Sequence, residues 1–557
     1  MPEQPQKLST DTTLSVQQSL LGLPGRDLLD TLKLLLLQGL RQPMTSSHHL
    51  LQLSAQLLQV LLGRSTLQAD PQDRRFSDPT WRHNPLYRRA LQAYLAWQQQ
   101  LHAWLDDNSL SDDDRARAHF VLRLLGDALA PSNSPLNPQA IKELLDTGGH
   151  SLLKGACQLL ADLRDNHGLP RQVDEQAFSV GGNLACTPGQ VVWRNEQLEL
   201  IQYHPQQARQ YQRPLLIVPP QINKYYIFDL SPHNSLVRYA LQQGIAVFMV
   251  SWRNPHPAHR EWGMDDYVAA LAQALEVCRD ICQQQPVNLM GACAGGLCMA
   301  LLQGYLQQRR QLRRVASATY LVTLLDSQLD NPLSLFASEA ALQEAKRRSY
   351  LEGVMDGKEM ARVFAWMRPN DLIWHYWVNN YLLGRRPPEF DILYWNSDNT
   401  RLPAALHGEL LDFFQYNPLR NAGTLQVCGK AIDLRKVRLD SFSVAGISDH
   451  ITPWQAVHRS GLLLGGQQHF VLANNGHIQS ILNPPDNTRG WFYSAAHRAA
   501  SPEDWQSTAT RQPGSWWPEW MSWLQARSGE LQDSPEQLGN AQYPPLQAAP
   551  GSYVHVR

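Results

Sequence analysis

The chain has 557 residues, 43% hydrophobic and 18% charged, which is ordinary globular composition with ample chain for a core. Its 49 basic and 50 acidic residues leave a net charge of -1, so there is no electrostatic footprint for nucleic acid and no such partner is expected. Seven cysteines, with no basic-then-apolar signal pattern in the polar start, point to free thiols in a reducing cytoplasm; the most apolar early run, 32–40, is too short to span a bilayer.

Residues 1–175 hold few β-branched residues and read as a helical domain. Leucine-dense amphipathic stretches at 28–40 and 50–62 are separated by Pro43, as a break, and by Ser46-Ser47, as an N-cap. Further helices are predicted over 85–106, 111–130 and 138–165. Leucine faces at this spacing are ordinary bundle core; the functional alternative is a surface that docks on a partner, a lipid layer or a hydrophobic product.

From residue 176 the texture changes. Short strands are predicted at 178–185, 190–193 and 198–203, followed by continuous apolar runs at 214–220 and 244–250 of the kind buried on both faces of a parallel sheet. A helix over 267–284, the apolar run 287–290 and a further strand over 317–326 continue the alternation, which predicts an α/β fold with a mainly parallel sheet. The stretch 327–425 is helical, aromatic-rich and studded with proline, and is expected to form a cap or lid over the ligand-binding edge of the sheet. A packing subdomain with no gating role is the alternative. Strands resume at 439–446 and 469–473; the tail, with Trp516, Trp517, Trp520 and Trp523, reads as a last helix and an irregular strap.

The chemistry centres on Gly291-Ala292-Cys293-Ala294-Gly295-Gly296. An apolar strand climbs into this turn and a helix follows at once, which is the pattern of a nucleophile elbow with Cys in place of the usual Ser. Gly291 and Gly295 flank the apex where a Cβ would collide with the turn. Asp449 follows one late strand and His477, in the loop Asn475-Gly476-His477, follows the next. Nucleophile, acid and histidine thus come in the chain order of α/β-hydrolases, and Cys293, Asp449 and His477 are the expected triad. The oxyanion donors are expected at the backbone N–H of Ala294 and of Ile222, in the loop after an early buried strand. Asp326 is the rival acid, and His450 is assigned a structural role. Cys278 and Cys282 lack further ligands of a zinc site and, like Cys298, are read as core, so no metal is expected. A thiolate exchanges one thioester for another at little cost, so a Cys elbow points to acyl-CoA or related thioester chemistry, with a cysteine hydrolase still open.

These motifs, with Pro219-Pro220-Gln221-Ile222-Asn223-Lys224-Tyr225-Tyr226, Ser251-Trp252-Arg253-Asn254-Pro255, Tyr394-Trp395-Asn396-Ser397-Asp398, Ser448-Asp449-His450-Ile451-Thr452-Pro453 and Gly476-His477-Ile478-Gln479-Ser480, resemble the poly(3-hydroxyalkanoate) synthases, and among them the class II, medium-chain type. The resemblance spans residues 219–480, and the N-terminal helices share the family's length and character. It implies an α/β-hydrolase domain over 176–557 that carries the 327–425 insertion, and a Cys293 that accepts the acyl group of an (R)-3-hydroxyacyl-CoA. A 3-hydroxyl activated through His477 and Asp449 would then lengthen a polyester. It also implies a cytoplasmic homodimer on the surface of polymer inclusions, with no cofactor beyond the CoA of the substrate; the leucine-rich helices of the domain 1–175 are expected to make that surface contact. Two rivals stand beside it: an acyl-CoA thioesterase of the same fold, and a non-catalytic coat protein of inclusions.

Overall fold

The computed structural model describes residues 25–166, 168–328, 338–497 and 499–557. The polar start of the chain and positions 329–337 of the expected insertion lie outside the described residues. The chain divides into two units. The first comprises Met1–Asp174 with Asn331–Ala341 and Glu359–Glu389; the second comprises Glu175–Asp330, Leu342–Lys358 and Phe390–Arg557. The 327–425 stretch is therefore split between the units.

In the first unit the helices are α1 (Gly25–Arg41), α2 (Pro43–Leu61), α3 (Pro85–Asp106), α4 (Asp112–Ala128), α5 (Pro138–Asp146) and α6 (His150–Asp165). Pro43 does not end a helix and leave Ser46 to cap the next; it is the first residue of α2, where its missing N–H costs nothing, and the Ser46 hydroxyl donates to the Gly39 carbonyl. The single helix expected over 138–165 is two, because Gly148 and Gly149 both take left-handed φ (+57° and +89°). Segment 359–389 is fastened to these helices by polar side chains. Asn370 donates to Asp127 (2.8 Å), Trp377 Nε1 to the Asn133 carbonyl (3.0 Å) and Tyr381 OH to Asp162 (2.8 Å). Gly155 of α6 lies against the Tyr381 backbone, where any Cβ would collide at 1.9 Å. The outer faces of α1 and α2 keep Leu36, Leu37, Leu40, Met44, Leu50, Leu51, Leu58 and Leu61 exposed.

The second unit is built on an eleven-stranded sheet. Its strands are β1 (Gly189–Arg194), β2 (Leu198–Tyr203), β3 (Leu215–Val218), β4 (Val247–Trp252), β5 (Val287–Ala292), β6 (Val315–Leu321), β7 (Ser441–Gly446), β8 (Gln468–Ala473), β9 (Trp491–Ala496), β10 (Thr510–Pro513) and β11 (Gln547–Ala548). The order is β10-β9-β8-β7-β6-β5-β3-β4-β2-β1-β11, with the six strands from β8 to β4 parallel and antiparallel strands at both edges. The continuous apolar runs became these parallel strands because both their faces are covered: every residue of β3, β4, β5 and β7 is buried. Helices of the unit include α7 (Met264–Ile281), α8 (Ala294–Gln308), α9 (Trp454–Gly461), α10 (His477–Ile481) and α11 (Trp517–Gln525).

One expected strand is absent. Residues 178–185 instead form a turn closed by a bridge between Val180 and Leu184. Gly181 takes φ +85°, and the Asn183 carboxamide accepts from Ser179 N–H and donates to the Ala177 carbonyl, so local side-chain bonds replace a ladder. In the tail, Trp516, Trp517 and Trp520 are buried in the main core. Beyond them a strap follows the sheet edge, where the fully buried Glu199 carboxylate accepts from Ser552 N–H (2.9 Å), the Ser552 hydroxyl (2.7 Å) and Tyr553 N–H (2.9 Å). Among the described residues no helix is long and apolar enough to cross a membrane.

Candidate active site

Cys293 sits between the end of β5 and the start of α8 with φ +48° and ψ -122°, a conformation that costs a non-glycine residue about 1–3 kcal/mol. Its neighbours show why the turn demands glycine. A Cβ on Gly295 would lie 2.4 Å from the carbonyl oxygens of Val218 and Pro219, one on Gly296 2.0 Å from the Thr323 hydroxyl, and one on Gly291 2.7 Å from Gly296 Cα. The strained apex is held from the adjacent strand: Cys293 N–H donates to the Leu321 carbonyl (2.9 Å), and Val322 next to it also takes left-handed φ (+44°) and donates to the Val444 carbonyl (2.8 Å). That reversal ends β6 at Leu321, short of the expected 326.

Asp449 leaves the end of β7 and His477 begins α10 just beyond β8, so both arrive at the same sheet edge as Cys293. The structure brings the three together. His477 Nδ1 and Asp449 Oδ2 are 2.7 Å apart, and Cys293 lies near enough to the same imidazole to act on its charge. Asp449 is held by four bonds: from Ile451 N–H and Thr452 N–H to Oδ1 (2.9 Å each), and from the Thr452 hydroxyl (2.7 Å) and His477 to Oδ2. Burial pushes the Asp449 carboxyl up, but the facing His477 charge and these bonds outweigh it and hold it below its ordinary value. Burial likewise works against a charged His477; the Asp449 carboxylate and then the Cys293 sulfur overcome it and push the imidazole up to about 10.

The N-terminal family of poly-beta-hydroxybutyrate polymerases (PhaC) matches residues 72–240, and the alpha/beta hydrolase fold family matches residues 214–484. Poly(3-hydroxyalkanoate) polymerase 2 of Ectopseudomonas oleovorans is 62% identical over 98% of this chain and 98% of its own. Poly(3-hydroxyalkanoate) polymerase 1 of the same organism is 49% identical over 99% of this chain and 98% of its own. The chain belongs to the poly(3-hydroxyalkanoate) polymerase family. More distant members include the polymerase subunit PhaC of Cupriavidus necator, 38% identical over 89% of this chain and 85% of its own.

In this polymerase-family chain the second unit has the α/β-hydrolase fold, with the elbow at its expected place on β5. The rival acid Asp326 is occupied elsewhere: its carboxylate accepts from Asn417 (2.7 Å) and from Gln328 N–H (3.1 Å). Ala294 is the first residue of α8, so its N–H has no intrahelical acceptor. Ile222 lies in the loop after β3, three residues beyond the Pro219 carbonyl that abuts Gly295 of the elbow, and its N–H donates to no acceptor among the described residues. Its carbonyl accepts from Thr400 N–H (3.2 Å). Cys298 and Cys278 are buried, and burial pushes the Cys298 thiol up to about 12, which marks it as inert core. Sequence reasoning missed Thr452, whose hydroxyl bonds Asp449 and lies 3.2 Å from His477 Nδ1. The spacing Asp-x-x-Thr, an Asx-type turn in which a carboxylate accepts from the next N–H groups, was the available signal.

Proposed function

We propose that this chain polymerises medium-chain (R)-3-hydroxyacyl-CoA into polyester, with Cys293 as nucleophile, His477 as proton carrier and Asp449 as its fixed counter-charge. The observation that carries the reading is the ordered constellation at one sheet edge, joined to 62% identity with a polymerase along nearly the whole chain.

The electrostatics suit two successive proton transfers. Asp449 favours a protonated His477, and the attacking form of Cys293 is the thiolate left when its proton passes to that imidazole. The thiolate attacks the thioester carbonyl, the developing oxyanion is met by Ala294 and Ile222 N–H, and CoA thiolate leaves, taking its proton from His477. Once the sulfur is acylated its charge is gone, and with it the part of the rise in His477 that Cys293 supplied. The imidazole, left neutral by the proton it gave to CoA, is free to act as base. It takes the proton of a 3-hydroxyl, the alkoxide attacks the enzyme-bound thioester, and Cys293 departs as thiolate beside a reprotonated His477. No cofactor is required beyond the CoA of the substrate. Incubation with (R)-3-hydroxydecanoyl-CoA should release CoA and yield polymer. Release of free hydroxy acid instead would make the chain a thioesterase, and turnover retained by Cys293→Ala would remove the triad.

The exposed leucines of α1 and α2 support attachment to the surface of cytoplasmic inclusions, where the enzyme would act as a homodimer. Because segment 359–389 packs in the same unit, deleting residues 1–175 would strip its core, and point changes are the cleaner test. Leu40→Glu with Leu51→Glu should move the protein from sedimented granules to the soluble fraction while leaving soluble turnover intact. Unchanged granule recovery would count against this contact.

A further inference from the structure

The loop that carries Ile222 is fixed from outside the elbow on every one of its turns. Trp252 Nε1 donates to the Pro219 carbonyl (2.8 Å), and the Thr400 hydroxyl donates to the Gln221 carbonyl (2.7 Å). Asn223 bridges to Asn399, and Trp395 Nε1 donates to the Lys224 carbonyl (2.7 Å). The carbonyls of Pro219, Gln221, Ile222 and Lys224 are thereby all engaged as acceptors, which fixes the path of the loop around the Ile222 N–H. At its end stands a lysine where a buried charge is costly: Lys224 is only 3% exposed. Its ammonium donates to the Val556 carbonyl (2.7 Å), which also accepts from Asn254 Nδ2 (3.3 Å). Asn254 in turn accepts from Arg401 N–H (2.9 Å). Burial pulls Lys224 down to about 8 against the opposing charge of Asp398, so the ammonium is kept at a cost that solvent exposure would have spared. A lysine used only to fill space would be replaced without loss by an apolar side chain.

We infer that Lys224 is a positioning residue for acyl transfer: clamped with Asn254 on the Val556 carbonyl, it lets the C-terminal strap hold the Ile222 N–H in place for the oxyanion. The inference rests on the proposed role of Ile222 as second oxyanion donor. Lys224 touches no reacting atom, and its influence passes through the two peptide units between it and Ile222.

Two rates separate this role from general damage. Alkylation of Cys293 by iodoacetamide forms no oxyanion, whereas acyl transfer from a thioester does. In Lys224→Met, single-turnover CoA release from (R)-3-hydroxydecanoyl-CoA is expected to fall about 100-fold, the scale of one lost oxyanion donor. Cys293 alkylation, followed on its own peptide by mass spectrometry, should change less than about twofold in the same variant, since the elbow's bond to Leu321 and the His477–Asp449 pair remain. Lys224→Arg should recover most of the rate, because a guanidinium can still donate to the carbonyl. Asn254→Ala, which removes the longer of the two bonds to Val556 together with the acceptor for Arg401 N–H, should cost about threefold to tenfold, and it carries the test if Lys224→Met does not fold. Equal loss of alkylation and acyl transfer, or no loss of acyl transfer in either variant, overturns the inference. Failure of the unaltered chain to release CoA, or turnover in Cys293→Ala, would instead strike the proposed function.

Discussion

Two histidine environments in the second unit, one just past the end of β8 and one packed at its start, behave oppositely. His477 faces the Asp449 carboxylate at 2.7 Å and is pushed up to about 10. His458, on α9, is fully buried against Phe470 and Trp505 and lies 4.0 Å from the ring of His497, with no hydrogen bond to either of its nitrogens. Burial, helped by the Arg459 charge, pulls His458 down to about 4, and burial with the neighbouring His458 pulls His497 down to about 3. Burial opposes the charge in both places, so burial is not what makes a histidine useful here. The counter-charge is. A carboxylate fixed by its own donors turns an interior imidazole into a proton carrier, while its absence leaves a neutral packing ring.

The comparison can be broken at four points. The largest effect belongs to Cys293→Ala, which should abolish CoA release, a loss of about 10⁴-fold or more, while leaving Asp449 and His477 in contact. Asp449→Asn removes the difference between the two histidines directly. CoA release should fall about 10³- to 10⁴-fold, and an NMR titration should find His477 below the ordinary 6.5 instead of near 10. Thr452→Val removes one of the four bonds that fix the carboxylate and should cost about tenfold, with Thr452→Ser restoring most of it. The smallest effect is on stability and has opposite signs at the two sites. His477, raised in the folded state, adds stability in full below about pH 6.5, and this is lost as pH rises toward 10. His458 and His497, lowered in the folded state, take up protons on unfolding, so stability present above 6.5 is lost as pH falls toward 4 and 3. His458→Phe should therefore lower the unfolding midpoint less steeply between pH 6.5 and 5 than the unaltered chain does. An unchanged slope would mean that this pair does not titrate on unfolding.

Much of this was legible in the sequence because it is local. The apolar runs at 214–220 and 244–250 announced buried parallel strands, since a strand covered on both faces needs no alternation. The glycines around Cys293 announced the elbow, since nothing larger fits against Val218, Pro219 and Thr323. The expected strand at 178–185 failed to form because Gly181 and Asn183 offered the backbone a turn instead. What stayed hidden was held by single bonds across long stretches of chain. Segment 359–389 joins the first unit through Asn370 with Asp127 and Tyr381 with Asp162, and neither pair leaves a periodic trace. The Lys224–Val556 bond, 332 residues apart, is of the same kind.

The Glu199 carboxylate carries a consequence for how the chain is made. It is buried on β2 beside Arg194 of β1 (3.1 Å), and three further donors, from Ser552 and Tyr553, lie 353 or 354 residues further on. At roughly 5–20 residues per second, some 20 to 70 s of synthesis separate the charge from those three donors. Until the strap leaves the ribosome, the β2 carboxylate has Arg194 but not the three hydrogen bonds that complete its shell, and burying it incompletely satisfied is costly. The β1–β2 edge of the sheet should therefore stay open to solvent through most of translation and close last. A nascent chain stalled before Ser552 should show fast amide exchange in β1 and β2 while the parallel strands are already protected.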